Sequence, residues 1–337
     1  MRVTVCVVSY NTADHLAAAL TSLLDQTHPD LHLVVVDNNS HDGSADIARR
    51  FSDVEVIANR RNLGYTGAAN QALARAADGG FFLVTPDVRL DPGHIAALAT
   101  GLEARPHAAS VQGRLHRMRP DGSVVTVDGQ PMIDSAGHSA HTNRVFRNRG
   151  DGLPDDGSYD DPVEIFGVTG AAALHRVAAL HDIALDGEVF DDDLFAFFED
   201  VDIDWRLKAR GWQAWYLPDA VGRHERGGEG ARRSRLVERL SYRNWFLTVA
   251  KNDDPGSLLR HWHLLGATTA LRTADLALTV PLAFLGAVRD LADPRSTLRK
   301  RRLAEAHRTV PNAEIVARWF EPFDYRAWVA KRIRRGW

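Results

Sequence analysis

Hydrophobic positions in the first 90 residues alternate between two periods. Val3–Val8 is a continuous run of apolar and β-branched residues, the pattern of a strand buried on both faces. Residues 13–26 repeat apolar positions at helical spacing through Leu16, Leu20, Leu23 and Leu24. Leu31–Val36 then predicts a second strand, Gly43–Phe51 a short helix, Val54–Ile57 a third strand, Gly67–Ala77 an Ala-rich helix and Phe81–Val84 a fourth strand. Strands separated by short helices predict a mostly parallel, doubly wound α/β sheet. Right-handed crossovers bring the C-terminal ends of such strands to one edge, where ligands bind.

The pattern changes downstream. Residues 110–165 are polar, with turn signals at Pro120-Asp121-Gly122 and Asp151–Gly157, and predict a β-hairpin or small added sheet followed by a loop. Order returns at Val163–Leu174 and at Phe190–Leu217. From about Arg232 the chain reads as basic helices with Trp262, Leu264, Leu265, Leu271, Leu276, Leu278, Leu282, Phe284 and Leu285 interspersed. With 337 residues, 45% hydrophobic and 25% charged, the chain is a folded one of about two domains. Its net charge of −3 hides an asymmetry: residues 231–337 carry 21 Lys and Arg against 10 Asp and Glu, whereas residues 1–230 carry 20 against 34.

Several classes are excluded or disfavoured. A single cysteine, Cys6, rules out a disulfide framework and a Cys-rich zinc site. The uncharged stretch Leu276–Val288 is 13 residues long and contains Pro281, too short to span a bilayer. The N-terminal MRVTVCVVSYN lacks the features of a signal peptide, so a cytoplasmic chain is expected. The basic helical region, with Arg299-Lys300-Arg301-Arg302 and Lys331-Arg332…Arg334-Arg335, predicts peripheral contact with an anionic membrane, at the inner face of the plasma membrane. The alternative is packing on the rest of the chain or on a second copy, which leaves a homo-oligomer open. No recognition motif accompanies the charge, so nucleic acid is not an expected partner. There is no G-x-G-x-x-G after the first strand, no P-loop and no G-x-S-x-G elbow, so a dinucleotide dehydrogenase, a P-loop enzyme and a serine hydrolase are all disfavoured.

Three clusters carry candidate chemistry. Val34-Val35-Val36-Asp37-Asn38-Asn39-Ser40 puts Asp37 at a strand end, where it can accept hydrogen bonds from a nucleobase or ribose; an Asx turn that caps the next helix is the structural alternative, and both can hold. Thr85-Pro86-Asp87 places a carboxylate on the same edge, suited to a divalent ion against a diphosphate; taken alone, a plain turn explains it better. Phe195-Ala196-Phe197-Phe198-Glu199-Asp200-Val201-Asp202-Ile203-Asp204 runs an aromatic stretch into four carboxylates. Acidic residues suit a helix N-terminus, but a carboxylate beside apolar walls also suits a general base. The aromatics are expected in the core, with the floor of a binding site as the alternative.

Read together, Val7-Val8-Ser9-Tyr10-Asn11, Val35–Ser44, Asn62-Leu63-Gly64-Tyr65 with Asn70, Thr85-Pro86-Asp87, Phe198-Glu199-Asp200 with Trp205-Arg206, Gly211-Trp212 and His224 resemble glycosyltransferase family 2, in its bacterial rhamnosyltransferase-like and galactofuranosyltransferase-like branch. The resemblance covers about residues 1–226. It implies a GT-A fold over residues 1–230, with a nucleotide-binding half of about 1–110 and an acceptor half of about 111–230, followed by a basic helical region over 231–337. It implies inverting transfer of a sugar, with rhamnose from dTDP-rhamnose favoured and UDP-galactofuranose or another UDP-hexose next, from a nucleotide-diphosphate donor to a hydroxyl of a glycan, glycolipid or small-molecule acceptor. Ser9, Tyr10, Asn11, Asp37, Asn39, Asn62, Gly64, Asn70, Pro86 and Asp87 match donor-binding positions. Asp200 matches the base, with Glu199 orienting it or holding the acceptor. Asp87 and His224 match a site for Mn²⁺ or Mg²⁺, and Trp205 and Arg206 are expected to brace the helix. Thr85 departs from the family's D-x-D pattern, and that loss points to the alternative of a catalytically silent nucleotide-sugar-binding subunit.

Overall fold

The computed structural model describes residues 1–226 and 234–325. Its first part is β1 (Val3–Ser9), α1 (Ala13–Leu24), β2 (Leu31–Asp37), α2 (Ser44–Arg49), β3 (Val54–Ala58), α3 (Gly64–Leu73), β4 (Gly80–Val84), β5 (Val88–Leu90) and α4 (His94–Glu103). The middle is strand-rich: β6 (Ala108–Arg117), β7 (Thr126–Val127), β8 (Gln130–Pro131), β9 (Ile133–Ser135), β10 (His138–His141), β11 (Phe146–Asn148), β12 (Val163–Ile165) and β13 (Ala172–Arg176). Then follow α5 (Val177–Asp182), α6 (Glu199–Ala209) and β14 (Gln213–His224). The last part holds α7 (Arg235–Asn252), α8 (Pro255–Arg260), α9 (Trp262–Thr279), α10 (Pro281–Leu291), α11 (Arg295–His307), α12 (Asn312–Trp319) and the short β15 (Phe320–Glu321).

The main sheet runs β12-β14-β6-β13-β4-β1-β2-β3. β1 is parallel to both β2 and β4, and β2 is parallel to β3. All seven residues of β1 are buried, because its two faces feed two different cores. Val3, Val5 and Val7 pack with Leu16, Leu20 and Leu23 of α1 on one face, whereas Cys6 and Val8 pack with Ala68, Ala72 and Leu73 of α3 on the other. This two-sided burial is why the run reads as unbroken hydrophobicity rather than alternation. Antiparallel β13 inserts between β4 and β6, and β14 closes the far side parallel to β6.

The fourfold strand–helix alternation is observed, with shifted ends: the helix expected at Gly67–Ala77 runs Gly64–Leu73, and β2 extends to include Asp37. The larger correction concerns residues 110–165. Their first part is β6, a ten-residue strand near the middle of the main sheet rather than an added hairpin. Its polar core residues misled the hydrophobic pattern. Ser110 Oγ lies 2.8 Å from His175 Nδ1, and Gln112 donates to Ser135 Oγ at 2.9 Å and accepts from the Thr169 N–H at 2.7 Å. Buried polar groups with such partners carry little penalty. A hairpin, β7–β8, and a small sheet, β11-β10-β15, do follow.

The last helices are built into the sheet domain. Arg144, fully buried in the turn after β10, pairs with buried Asp253 at 2.8 Å, and the Trp205 indole on α6 donates to Asn312 Oδ1 at 3.0 Å. Lys251 of α7 bonds both Asp191 and Asp202, and Lys300 of α11 lies 2.5 Å from Asp191. The boundary expected at 230/231, and Arg232, Lys331, Arg332, Arg334 and Arg335, lie outside the described residues.

Candidate active site

The parallel strands deliver their chemistry to one edge. β1 ends at Ser9, in register with Asp37 at the end of β2. Asp37 Oδ2 accepts the Ser40 N–H at 3.0 Å, closing the expected Asx turn. Its Oδ1 is buried with no hydrogen-bond partner among the described residues. A buried carboxylate oxygen left open at a ligand edge suits an incoming N–H or O–H donor. The turn thus takes one Asp37 oxygen and leaves the other open, while α2 itself starts after Gly43 without a side-chain cap.

The residues around it divide into open and committed groups. Tyr10 is 45% exposed. Ser9 Oγ is 2.8 Å from Thr12 Oγ1 within the loop after β1, and Asn11 Oδ1 accepts the His41 N–H at 2.9 Å, lacing that loop to the one after β2. Asn11 and Asn39 both adopt positive φ, at 54° and 66°, a region Asn tolerates better than most residues. Asn62 caps the start of α3 through the Gly64 N–H. Asn70 grips a distant segment, donating to Phe190 O at 2.7 Å and Asp192 Oδ1 at 3.0 Å while accepting from the Phe190 N–H. Its amide is occupied in fixing the segment that leads to the aromatic run.

Asp87 follows β4, with Pro86 buried beside it. Thr85, the departure from an acidic residue, donates its hydroxyl to Asp87 Oδ1 at 2.6 Å. β5 pairs antiparallel with the end of β14, placing Val88 opposite His224. The His224 Nε2 then lies 3.4 Å from Asp87 Oδ1 and its Nδ1 2.8 Å from Asp134 Oδ2. Burial would depress the imidazole, but the hydrogen bonds and charges of Asp134 and Asp87 push it up to about 10. Asp134 was not legible in the sequence. It sits in β9, fully buried, bonded also by Arg117 and close to Arg226. The signal that could have found it is weak: one acidic residue between Ile133 and Ser135 in a three-residue buried strand.

The third group is centred on α6. Asp200, in its first turn, accepts the Gly170 N–H at 3.0 Å, and its side chain is 24% exposed. Sequence reasoning missed its neighbour His138. The His138 Nε2 lies 3.5 Å from Asp200 Oδ2, and its Nδ1 lies 2.8 Å from Asp204 Oδ2. Burial would lower His138, but the charges of Asp200, Asp204 and Glu199 and the Asp204 hydrogen bond raise it. Burial raises Asp204 to about 6 against the hydrogen bond from His138. Asp200 and Asp204 are four apart on α6, so both meet one imidazole supplied by β10.

The aromatic run before α6 is not core. Phe197 is 39% exposed, Phe195 and Phe198 are half-buried, and all three have φ between 64° and 70°. Left-handed backbone at bulky residues is strained by about 1–3 kcal/mol each and persists only where neighbours enforce it. Asn244 of α7 supplies that enforcement: its side-chain amide donates to the carbonyls of Leu194, Ala196 and Phe197 at 2.7–2.8 Å. The Thr66 N–H donates to Phe195 O at 3.2 Å. Gly64 lies directly beneath, with φ +79°, and a Cβ there would sit 2.6 Å from Phe195 Cδ2. Trp205 and Arg206 brace α6 as expected: Trp205 is fully buried, and Arg206 bonds Asp202 and the carbonyls of Ile183 and Val189.

Comparison with known proteins adds independent findings. Residues 4–151 match the model for Glycosyl transferase family 2. The chain is 30% identical over 241 residues to an N-acetylglucosaminyl-diphospho-decaprenol L-rhamnosyltransferase of Mycobacterium tuberculosis strain H37Rv, covering 66% of this chain and 75% of that one. Its fold is similar to that of GalNAc-T7 solved with UDP, GalNAc and Mn²⁺, with a TM-score of 0.63 at 12% identity, covering 98% of this chain and 57% of that one. It is also similar to residues 1–349 of S. aureus TarS in complex with UDP, with a TM-score of 0.52 at 17% identity, covering 95% and 89% of the two chains.

Proposed function

Because this chain belongs to glycosyltransferase family 2, we propose that it is an inverting enzyme that moves a hexosyl group, L-rhamnose from dTDP-rhamnose in the favoured case, to a hydroxyl of a glycan or glycolipid acceptor. That it is a glycosyltransferase of GT-A fold using a nucleotide-sugar donor follows from the family and the fold. The favoured donor rests on the rhamnosyltransferase relative and on the sequence motifs.

The observation that carries the reading is Asp200: a partly exposed carboxylate, fixed by the Gly170 N–H at one oxygen, with a positively biased imidazole behind it. Inversion is a single in-line displacement at the anomeric carbon. It needs one base to take the acceptor hydroxyl proton as the new bond forms. Asp200 takes that proton, with the Gly170 N–H and His138 facing its Oδ2 and the Val201 N–H on its Oδ1. The open Oδ1 of Asp37 receives a nucleobase N–H, and Tyr10 offers an exposed ring beside it. The strained Phe195–Phe198 loop, neither core nor free, borders the acceptor side.

Among the described residues no cluster of three or more metal-ligating groups is assembled. The chemistry of the Asp87–His224 pair nevertheless fits a divalent ion. Asp134 holds one imidazole nitrogen, which leaves Nε2 beside the Asp87 carboxylate, and a carboxylate behind a ligating histidine fixes its orientation and tautomer. Asp87 and His224 would hold Mn²⁺ or Mg²⁺, which supplies positive charge against the leaving diphosphate. In place of an acidic residue, Thr85 steadies Asp87 by a hydrogen bond.

Exposed apolar side chains on α9 and α10, including Leu278 at 83% and Leu285 at 61%, together with the basic α11, support a peripheral seat on an anionic membrane. No described helix is long and apolar enough to cross one. The test of the reading is Asp200→Asn with a panel of nucleotide sugars. Donor binding by thermal shift should survive while transfer falls by a factor on the order of 10²–10⁴. Unchanged transfer overturns the assignment of the base, and donor-induced shifts with no transfer by the parent protein favour the silent nucleotide-sugar-binding subunit.

A further inference from the structure

A cavity of about 350 Å³ lies between α7, α9 and the β10–β11 turn, apart from the three groups above. Its volume falls in the range of small-molecule sites. Five of its lining residues, Thr268, Leu271, Arg272, Asp275 and Leu276, share one face of α9 at helical spacing. Glu238 and Asp275 line it beside Arg147 and Arg272, but two of its polar groups are left open. Thr268 is buried and its Oγ1 has no hydrogen-bond partner among the described residues, and the Nε of Arg272 is likewise buried without one. Arg272 lies over the Trp245 ring and Arg147 over the Phe323 ring, each about 5 Å from the centroid. Burial lowers both guanidiniums below the usual arginine range, with Asp151 only partly offsetting this at Arg147, and Tyr242, Glu238 and Asp275 at Arg272. Two desolvated guanidiniums, an open N–H and an open hydroxyl suit an anion with several acceptor oxygens.

The walls suit something else. Val145, Tyr242, Leu271 and Phe323 are apolar or aromatic, and Leu271 is 55% exposed. Leu278 lies seven residues further along α9, on the same face, and is almost fully exposed. An anion seat thus opens onto an exposed apolar stripe. The cavity also borders the site already described. Arg147 pairs in register with Ser139, the residue after His138, and Ser241 and Tyr242 lie within one turn of α7 from Asn244, which holds the Phe195–Phe198 loop.

We infer that this cavity binds a phosphorylated amphiphile, its phosphoryl group on Arg147 and Arg272 with Thr268 and its chain along Leu271 toward Leu278. The inference rests on the transferase reading only for its biological use, as the seat for the phosphate of a lipid-linked acceptor. Binding to the full-length chain is read by isothermal titration with farnesyl phosphate, farnesol and inorganic phosphate. Vesicles of phosphatidylglycerol are compared with them in a sedimentation assay. Farnesyl phosphate should bind at least about tenfold more tightly than either farnesol or inorganic phosphate. Arg147→Gln and Arg272→Gln should each weaken it by about ten- to a hundredfold. Thr268→Val, near-isosteric and so a check where the Arg272 variant unfolds, should weaken it severalfold. Donor-induced thermal shifts should be unchanged in all three. Equal affinity of parent and variants overturns the assignment, as does inorganic phosphate binding as well as farnesyl phosphate. Variant-sensitive binding to vesicles without binding of farnesyl phosphate also overturns it, in favour of a bilayer headgroup. Retained donor binding and donor hydrolysis alongside any of these results leave the transferase reading standing; their absence in the parent protein is a separate failure.

Discussion

Replacing His138 by Gln removes one charge from behind the proposed base while keeping a hydrogen-bonding side chain. The imidazole Nε2 is 3.5 Å from Asp200 Oδ2. A unit charge at that distance contributes about 1 kcal/mol in a water-like medium and about 5 kcal/mol at an effective dielectric of 20. The Asp200 side chain is 24% exposed, so the lower figure is the better guide. About 1.4 kcal/mol corresponds to one pH unit. His138 is raised, so its imidazolium persists as pH rises past the ordinary histidine range. Its contribution to stability is complete below the unfolded-state value and is lost as pH rises through the raised folded one. The groups facing the ring are Asp200, Asp204 and Glu199 of α6; His175, which also feels Asp200, is held neutral, with burial lowering it to about 4. Loss of the imidazolium therefore removes the positive charge beside the carboxylate that takes the acceptor proton. The parent's kcat/KM for sugar transfer should change by about tenfold as pH rises through the raised His138 value, a step the variant lacks, with donor KM little changed. A pH–rate series on parent and His138→Gln, with thermal unfolding as a folding control, measures it. A lower kcat with the same pH step in parent and variant would refute the charge argument and reduce His138 to a packing residue.

Other perturbations test neighbouring parts. Gly64→Ala forces a Cβ against the Phe195 ring and carbonyl at φ +79°, so kcat should fall by more than tenfold, and stability by about 1–3 kcal/mol in thermal unfolding. Asn244→Leu leaves three carbonyls of the strained loop without their donor; kcat should fall while a nucleotide alone still binds, as a binding titration would show. Asp134→Asn removes the carboxylate behind His224 and should weaken Mn²⁺ dependence by about ten- to a hundredfold, read as the metal concentration for half-maximal rate. Arg144→Met strands the fully buried Asp253 and should cost about 3–5 kcal/mol in denaturant unfolding.

How much was readable in the chain differs by element. β1, β2 and β4 were legible because each is buried on two faces along most of its length, so its hydrophobicity is continuous and local, while β3 is only half-buried at the edge of the sheet. Asp37, Asp87 and Asp200 were legible because each follows or opens such an element, and position in an α/β sheet fixes which edge it reaches. β6 was obscured because Ser110 and Gln112 are buried polar residues whose partners, His175, Ser135 and Thr169, lie far away in sequence. The aromatic run was assigned to the core because large apolar residues usually go there. Nothing local reveals that Asn244, nearly fifty residues on, holds its backbone left-handed.

The sequence by itself determined the sheet, the edge to which its parallel strands run and the carboxylates Asp37 and Asp87 at their ends, since these follow from periodicity and from residues adjacent in the chain. Only the tertiary structure decided what stands behind those carboxylates. His138 comes to Asp200 from 62 positions away and Asp134 to His224 from 90, each delivered by a short strand of the polar middle segment. The exposed face of α9 beside Arg147 was likewise set by packing rather than pattern. The physical reason is that hydrophobic periodicity reports which side of an element is buried. The partner of a buried charge is chosen by the path of the chain in space, and no local pattern encodes it.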